Sequence, residues 1–389
     1  MGNGTSAPQY PVGFQSMSAD NYLQLNGLQD NDDKDAMPLP LSNSDMVLNK
    51  RYLKTPFEGI WSVYHVSGPS PEPRTGFFSV YVPHRDKFYI GYGISKQNDL
   101  FNDVWCFDFS IRRWMQIPLN GETVSPRCGT RATLVGDHIA CFGGYANHQY
   151  FGDFHIINLA NGQVSRPPLT GIPPSPRSSC LVTSYNNQFL YVWAGFNGEW
   201  PTELNILNLQ TKEWTQKESS VSQRTAFSYV NTSKNVYCFG GASSGALVQM
   251  DPETQTMIIV KPKNNEPSSK VMHSSMVAVE NYLIVIGGKI KEEYQYIYCF
   301  NILSQKWSIF HVLPDDITVT YADGDMSENR LFKMPTCHSM GTTYRHQDRS
   351  IYGFLGEPST DSSVFLLDIG PALSVLHMTD DMLAMLSMK

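Results

Sequence analysis

Several patterns that define large protein classes are missing from this sequence. No apolar run approaches the roughly 20 residues that a membrane-spanning helix needs, and the start of the chain lacks a basic and apolar secretory signal. Basic residues do not cluster beyond Lys50, Arg51 and Lys54, and the net charge is −7. We therefore expect neither a transmembrane segment nor the basic patch of a nucleic-acid-binding protein.

Patterns typical of disulfide or metal sites are missing as well. The seven cysteines are an odd number without a C-x-x-C pair, and the ten histidines include no H-x-x-x-H pair. Such cysteines are typical of small buried side chains in a reducing compartment. We therefore predict a cytoplasmic protein with no metal and no cofactor, in which the sequons at Asn3 and Asn231 carry no glycan.

What the sequence does contain is one unit repeated six times. Each unit has a short apolar run that ends on a glycine step, and the last glycines of these steps are 51, 51, 46, 47 and 68 residues apart. A near-constant period of this length indicates an array of one supersecondary unit. The steps end at Gly93, Gly144, Gly195, Gly241, Gly288 and Gly356.

Two further marks recur in each unit. An arginine, or a histidine in the last two units, precedes the step, and an apolar run closed by tryptophan follows it in three units. Runs of four to eight β-branched and aromatic residues between these marks predict short strands, about four in each unit. The preceding marks are Arg74, Arg127, Arg177, Arg224, His273 and His338, and the tryptophans are Trp114, Trp214 and Trp307.

Together these marks resemble the kelch repeat over residues 57–369. The resemblance implies a β-propeller whose blades have four strands each. The chain departs from the pattern in places, because the glycine pair is incomplete in the first, third and sixth units. Val164 and Met257 stand near the tryptophan positions of the second and fourth units.

The sixth unit lacks its last strand, since it ends near residue 369 without a further apolar run. A run of that kind, residues 60–64 with Trp61, precedes the first arginine mark. We predict that it forms the outer strand of the last blade. The predicted fold is therefore an all-β, six-bladed kelch-type propeller over residues 56–370, with four antiparallel strands per blade and a ring closed by this N-terminal strand.

The segments that flank the repeats differ from them in composition. Residues 1–55 are acidic and polar without periodicity, which predicts a mostly disordered tail. Residues 371–389 have an apolar face at helical spacing, which predicts a short amphipathic helix, either docked on the propeller or bound to a partner. The first six residues match the M-G-x-x-x-[ST] pattern, so we expect a myristate on Gly2 and at most reversible membrane contact.

Two short motifs resemble enzyme or metal sites. Residues 241–245 match G-x-S-x-G, but a strand rather than a helix follows them, so a turn is predicted. Asp323, Asp325 and Glu328 resemble part of a calcium loop that lacks the required glycine and final glutamate, so a solvated acidic loop is predicted. The alternative is a kelch-fold enzyme, like galactose oxidase or the specifier proteins, with an unrecognised metal site.

The resemblance implies that partners bind the face of the propeller that carries two sets of loops. These are the b–c loops, between the second and third strands of a blade, and the d–a loops, between blades. Arginine and aromatic side chains there are typical of binding hot spots, and arginines favour acidic or phosphorylated segments. The predicted contacts are the six marks Arg74, Arg127, Arg177, Arg224, His273 and His338, together with Tyr145, Asn147, Phe196, Asn197, Trp200 and Lys289.

The long fifth interval holds an insertion of about 20 residues, from 311 to about 334. It lies in a d–a connection, so we expect it to overhang the same face and to cap the arginine-lined opening with its acidic side chains. The sequence as a whole predicts a monomeric protein-interaction module or scaffold without catalytic activity.

Overall fold

A computed structural model describes residues 53–54, 59–242, 245–264, 267, 271–327, 331–358 and 363–369. Across these residues the chain is all-β and forms a β-propeller, with two short 3₁₀ helices at Pro83–Arg85 and Tyr321–Asp323. The acidic tail with Gly2, the C-terminal segment predicted as a helix, and Glu328 lie outside the described residues.

Six sheets follow the six repeats, and we number them accordingly. Four antiparallel strands, given from the first to the last in chain order, form the body of each of the first five. They are Phe78–Val82, Lys87–Ile94, Leu100–Asp108 and Arg113–Ile117 in sheet 1; Arg131–Val135, His138–Phe142, Phe154–Asn158 and Gln163–Ser165 in sheet 2; Leu181–Tyr185, Phe189–Trp193, Glu203–Asn208 and Glu213–Glu218 in sheet 3; Ser228–Asn231, Val236–Phe239, Val248–Asp251 and Thr256–Ile259 in sheet 4; and Ser275–Val279, Tyr282–Ile286, Ile297–Asn301 and Lys306–Phe310 in sheet 5.

Sheet 6 takes its outer strand from the other end of the domain, as the sequence predicted. Gly341–Arg345, Ser350–Phe354 and Ser363–Asp368 form its first three strands, and Gly59–His65 pairs antiparallel with the third. In this register Trp61 faces Leu367. Trp61 is buried in the apolar cluster between sheets 5 and 6, so closure of the ring also contributes to the core.

The prediction of six blades with four antiparallel strands each is wrong. Four sheets carry a fifth strand that pairs in parallel with the outer strand, and a further three-stranded sheet is present. Counting every sheet of three or more strands among the described residues as a blade, the propeller has seven blades rather than six. The fifth strands are Asn120–Gly121, Thr170–Gly171, Leu53–Lys54 and Val312–Pro314, in sheets 2, 3, 5 and 6; the three-stranded sheet consists of Tyr294–Gln295, Phe332–Pro335 and Asp325–Met326.

The three-stranded sheet comes largely from the insertion, which explains why spacing alone missed it. Its central strand, Phe332–Pro335, pairs with Tyr294–Gln295 in the b–c loop of the fifth unit. Phe332 packs on Trp61 at 5.9 Å between ring centroids. The insertion is therefore folded onto the b–c side of the propeller and contributes apolar side chains to its core.

The apolar core lies between neighbouring sheets, because each sheet buries both of its faces. Between sheets 6 and 1, for example, Phe354 packs on Phe88 at 4.6 Å and on Trp114 at 5.4 Å between centroids. All seven cysteines are free thiols, six of them fully buried. Burial raises the pKa of Cys128 and Cys238 to about 12, so these thiols stay protonated, as expected of small core side chains.

Candidate functional site

The b–c and d–a loops lie on one face of the propeller, which we call the mouth face. A backbone bridge joins the two loop types in every unit. A second set of hydrogen bonds joins the b–c loops of the first five units to the next unit: the amide of Gly93, for example, donates to the carbonyl of Arg127 at 2.8 Å, and the amide of Gly144 to that of Arg177 at 3.0 Å. The mouth face is thus a connected rim rather than a set of independent loops.

The glycine step makes this rim possible. Its last glycine has positive φ in every unit, +117° at Gly144. A β-carbon on Gly144 would lie 2.5 Å from Thr130 Oγ1 and 3.1 Å from the carbonyl oxygen of Cys128. The first position of the step is more tolerant, since Ala194 adopts a positive φ there. The incomplete glycine pairs of the first, third and sixth units therefore keep the second glycine, which is the one that the backbone conformation requires.

Three of the arginine marks are buried and satisfied by their own unit. Arg127 is 2% exposed, donates from Nε to the carbonyl of Ser125 at 3.0 Å, and forms an ion pair with Asp153. Its guanidinium also lies 3.7 Å from the ring centroid of Phe151. Arg74 repeats this arrangement with Asp103 and the ring of Phe101. Arg177 repeats the ion pair with Glu203 and the bond from Nε, which goes to the carbonyl of Ser175. These side chains hold the b–c loop in place, and in this conformation a partner does not reach them.

Arg224 occupies the same position but lacks the acidic partner. It is 0% exposed, and its Nη1 donates to the carbonyl of Ala246 at 2.6 Å. Within the described part of the chain, its Nε and Nη2 have no hydrogen-bond partner. Burial lowers the pKa of Arg224 from its usual value. A guanidinium with unpaired N–H groups in the interior is costly.

The two histidine marks do not occupy the arginine position, so the prediction that they replace the arginine is wrong. In the second, third and fourth units the arginine is the residue whose carbonyl accepts a hydrogen bond from the glycine step of the unit before. In the fifth unit that residue is Val271 and in the sixth it is Cys337, at 2.8 and 2.7 Å. His338 follows Cys337 directly. His273 lies two residues after Val271, at a position with positive φ that is Gly76, Gly129, Ser179, Ala226 and Ser339 in the other units.

Five predicted contact residues lie on two neighbouring b–c loops, and three of them, Tyr145, Phe196 and Trp200, belong to an aromatic strip. We define the strip as Tyr145, Tyr150, Phe196 and Trp200, and Tyr150 was not among the predicted contacts. Ring centroids are 4.8 Å apart for the first pair, 6.2 Å for the second and 5.1 Å for the third. Tyr145 and Phe196 are buried, whereas Tyr150 and Trp200 are partly exposed. The strip thus has a buried base and an accessible edge.

The polar members of the predicted set flank this strip or lie across the opening. Asn147 is exposed at the tip of its hairpin, which consists of Tyr145–Ala146 and Gln149–Tyr150. Asn197 is partly buried and donates to Ser175 Oγ at 3.2 Å. Lys289, partly exposed, pairs by its backbone with Met272 in the fifth unit.

His273, His338 and Lys289 lie close enough to influence one another, together with a residue that the sequence did not reveal, Arg131. Burial lowers the pKa of His273 well below its usual value, and the positive charges of His338, Arg131 and Lys289 lower it further. The ring centroids of the two histidines are 6.4 Å apart, and His338 Nε2 lies 3.5 Å from a carboxylate oxygen of Glu357.

Arg131 could have been found by comparing the units position by position. It is the first residue of its inner strand and pairs with Phe142. The equivalent residues of sheets 1 and 3 are Phe78 and Leu181. In sheets 4, 5 and 6 they are Ser228, Ser275 and Gly341. A charged residue where the other five repeats have an uncharged one is a signal of function in a repeat protein.

The inner strands enclose a central channel that opens among these residues. Its volume is about 600 Å³. No lining residue comes from the insertion over residues 311–327 and 331–334, so the described part of the insertion does not line this channel.

The nearest arrangement to a catalytic group is buried between sheets 1 and 2. Tyr92 Oη lies 2.8 Å from His155 Nε2, and His155 Nδ1 lies 3.6 Å from Asp153. His155 is 0% exposed, and burial lowers its pKa. These three side chains therefore join two sheets in the interior and do not line a site that a substrate could reach. No group of three or more His, Cys, Asp or Glu residues suited to a metal occurs in the described ranges.

The predicted acidic loop uses its carboxylates locally. Asp323 accepts from the amide of Thr320 at 2.8 Å, and Asp325 lies 3.7 Å from Lys333 Nζ. At the G-x-S-x-G match, the next strand is Val248–Asp251 and not a helix, as the turn interpretation requires. Among the helices in the part of the chain that the structure covers, none has the length and apolar character to cross a membrane.

Comparison with known proteins agrees with this architecture. The chain is 30% identical over 148 residues to the acyl-CoA-binding domain-containing protein 5 of Arabidopsis thaliana, which covers 36% of this chain and 22% of that protein. It is 25% identical over 209 residues to the human Kelch domain-containing protein 10, or 49% of this chain and 47% of that protein. The chain thus spans between about a fifth and a half of these relatives' lengths.

A family profile covers more of the chain. The profile described as the KLHDC2/KLHL20/DRC7 Kelch-repeats domain matches residues 41–241, just over half of the 389 residues. Together with the repeated sheets and the rim built on glycine steps, this match establishes that the chain belongs to the kelch-repeat family.

Proposed function

We propose that this chain is a protein-interaction module without catalytic activity, whose mouth face binds an acidic or phosphorylated segment of a partner protein. The observation that supports this most directly is the aromatic strip on two adjacent b–c loops. Large aromatic side chains dominate binding energy at protein interfaces when they rest on a well-packed base. Tyr145 and Phe196 provide such a base, and Trp200 and Tyr150 present the accessible edge.

The charge of the partner segment is inferred from the other side of the opening. Lys289 and Arg131 contribute positive charge near His273, and Glu357 is the acidic group that lies against His338. An acidic or phosphorylated side chain would therefore be favoured near Lys289. The buried marks Arg74, Arg127 and Arg177 support the proposal indirectly, because they fix the loops that carry the contacts.

Peptide binding by matched variants tests the proposal. An array of synthetic acidic and phosphorylated peptides is probed with the wild-type chain, with Trp200→Ala and with Ile111→Ala. Ile111 is 54% exposed in a c–d turn, on the opposite face, so it controls for the loss of an exposed apolar side chain. We expect Trp200→Ala to weaken binding of captured peptides roughly tenfold or more, and Ile111→Ala to bind like wild type.

Equal binding by wild type and Trp200→Ala would contradict the use of this strip. Lys289→Gln then tests the charge preference, because loss of this positive charge should weaken the binding of phosphorylated peptides more than the binding of their unphosphorylated forms. Thermal melting of each variant in the absence of peptide shows that binding differences do not come from unfolding.

A cytoplasmic, monomeric propeller with reversible membrane contact stays a prediction. Gly2, which would carry the myristate, lies outside the described residues. Intact-mass measurement of the protein isolated from its own cells decides this point, since an unmodified Gly2 removes the basis for lipid-mediated contact.

A further inference from the structure

The central channel differs in charge from the rest of the molecule. The whole chain has 36 acidic and 29 basic residues, yet the lining of the channel includes no aspartate or glutamate among the described residues. Twelve of the lining side chains carry a hydroxyl group, and Arg131 is their one arginine or lysine. A cavity with hydroxyl groups, one guanidinium and no carboxylate disfavours cations and suits an anion.

Arg131 lies where its charge acts across the channel. Burial raises the pKa of Tyr229 in sheet 4 to about 12, and the positive charge of Arg131 opposes this rise. Burial lowers the pKa of His273 in the fifth unit, and the charge of Arg131 lowers it further. Burial raises the pKa of Cys180 in the third unit to about 11, and the charge of Arg131 opposes this rise. These effects agree with its place in the channel, which Arg131 lines together with Tyr229 and His273.

The guanidinium of Arg131 also lacks the carboxylate partner that three buried arginines of this face have. Arg74, Arg127 and Arg177 each form an ion pair with a carboxylate of their own unit. Within the described ranges, Arg131 forms no ion pair, and it is partly exposed to the channel. Its fork of N–H donors is therefore available to a ligand from solution.

We propose that the channel is a binding site for a small molecule that carries an oxyanion, a carboxylate or a phosphate group, and that Arg131 is the residue that binds this group. The volume of about 600 Å³ falls within the range typical of small-molecule pockets. The site is separate from the aromatic strip, and it does not depend on partner binding there.

One positive-φ position of the repeat lines the channel in three units, as Gly76, His273 and Ser339. Gly76 and Ser339 are small, and His273 is the large side chain of the three. Because its pKa is lowered, His273 is neutral near pH 7, so it can donate a hydrogen bond without adding charge.

Ligand-induced stabilisation tests the site on the full chain. Thermal melting is measured in increasing inorganic phosphate and, separately, in succinate, with sodium chloride at equal ionic strength as the reference. A ligand that binds the native state raises the melting temperature as its concentration exceeds the Kd. The variants are Arg131→Gln, Arg131→Lys and the control Arg113→Gln, which removes an exposed arginine of an outer strand.

We expect phosphate, succinate or both to raise the melting temperature beyond the effect of chloride in wild type and in Arg113→Gln. In Arg131→Gln the apparent affinity should fall roughly tenfold, as for the loss of a hydrogen bond to a charged group, and Arg131→Lys should recover part of it. The anion that raises the melting temperature more strongly identifies phosphate or carboxylate as the preferred group.

Two results would overturn the proposal. One is that neither anion raises the melting temperature beyond the effect of chloride, and the other is that both anions stabilise wild type and Arg131→Gln equally. Melting in chloride alone shows whether the variants are folded.

Discussion

The third and fourth units place an arginine at the same point of the rim and give it different surroundings. Arg177 pairs with Glu203 and also donates to the side chain and the backbone carbonyl of Ser175. Arg224 has backbone carbonyls as its acceptors and a distant contact with Trp193, whose ring centroid lies 5.8 Å away. Two of its nitrogens have no partner among the described residues.

The difference shows that one repeat residue can have opposite effects on stability. Arg177 is a buried charge whose partner and hydrogen bonds compensate for its removal from water. Arg224 is a buried charge without an ion-pair partner in the part of the chain that is described, so its desolvation is compensated less. What the repeat keeps constant is the backbone geometry of the rim. The carbonyl of residue 177 accepts from Gly144, and that of residue 224 accepts from Gly195, at 3.0 and 2.9 Å.

The largest effect is expected at the paired arginine. Arg177→Met leaves the half-buried carboxylate of Glu203 without its cation and removes the hydrogen bonds that fix the loop. We expect the free energy of unfolding to fall by about 3 kcal/mol, at the lower end for a broken buried pair because Glu203 is partly exposed. Equilibrium denaturation in urea measures it, and a loss below about 1 kcal/mol would mean that this pair contributes little.

A smaller effect is expected in the pH dependence of stability. Burial raises the pKa of Glu203, but the hydrogen bond from Arg177, a backbone hydrogen bond, the charge of Arg177 and the hydrogen bond from Asn205 together outweigh burial, and the net shift is downward. A carboxyl with a lowered native pKa stabilises the fold above its unfolded pKa, about 4.5 for glutamate, and this contribution is lost as the pH falls through the native value. Stability should therefore decrease from pH 5 downward, and less steeply in Glu203→Gln.

The fourth unit provides the control for this pH effect. Arg224 has no carboxylate partner within the described ranges, so Arg224→Met should keep the wild-type slope below pH 5. Denaturation curves at a series of pH values compare the three proteins. An unchanged slope in Glu203→Gln would show that other carboxyls, such as Asp153, whose pKa is also lowered, account for the acid sensitivity.

The sequence predicted features that depend on the backbone and on spacing. The glycine steps located every b–c loop, because a positive φ next to a neighbouring carbonyl requires glycine at residues such as Gly144. Trp61 revealed how the ring closes. The three-stranded sheet was missed because its strands pair across 40 residues and one of them, Tyr294–Gln295, has two residues.

Contacts of side chains were harder to predict, because they depend on register. His273 and His338 were placed at the arginine position by spacing, but they lie two residues and one residue beyond it, and this shift places His273 in the lining of the channel. The burial of Arg127 was also invisible, since exposed and ion-paired arginines look alike in a sequence. Arg131 was overlooked because it lines the channel, and the channel is formed by strands that lie far apart in the sequence.

The smallest change in the free energy of unfolding is expected at Arg224, the arginine without an acidic partner among the described residues. This variant is the most direct test of the difference between the third and fourth units. Arg224→Met replaces a buried guanidinium with an apolar side chain of similar length, which removes two unpaired N–H groups and loses the bond to the carbonyl of Ala246. These contributions nearly cancel, so we expect no loss of stability and a gain of up to about 1 kcal/mol. Urea denaturation beside Arg177→Met measures it under identical conditions. A loss as large as that of Arg177→Met would show that Arg224 has a compensating partner, and that the arginine is required at this position whether or not an acid accompanies it.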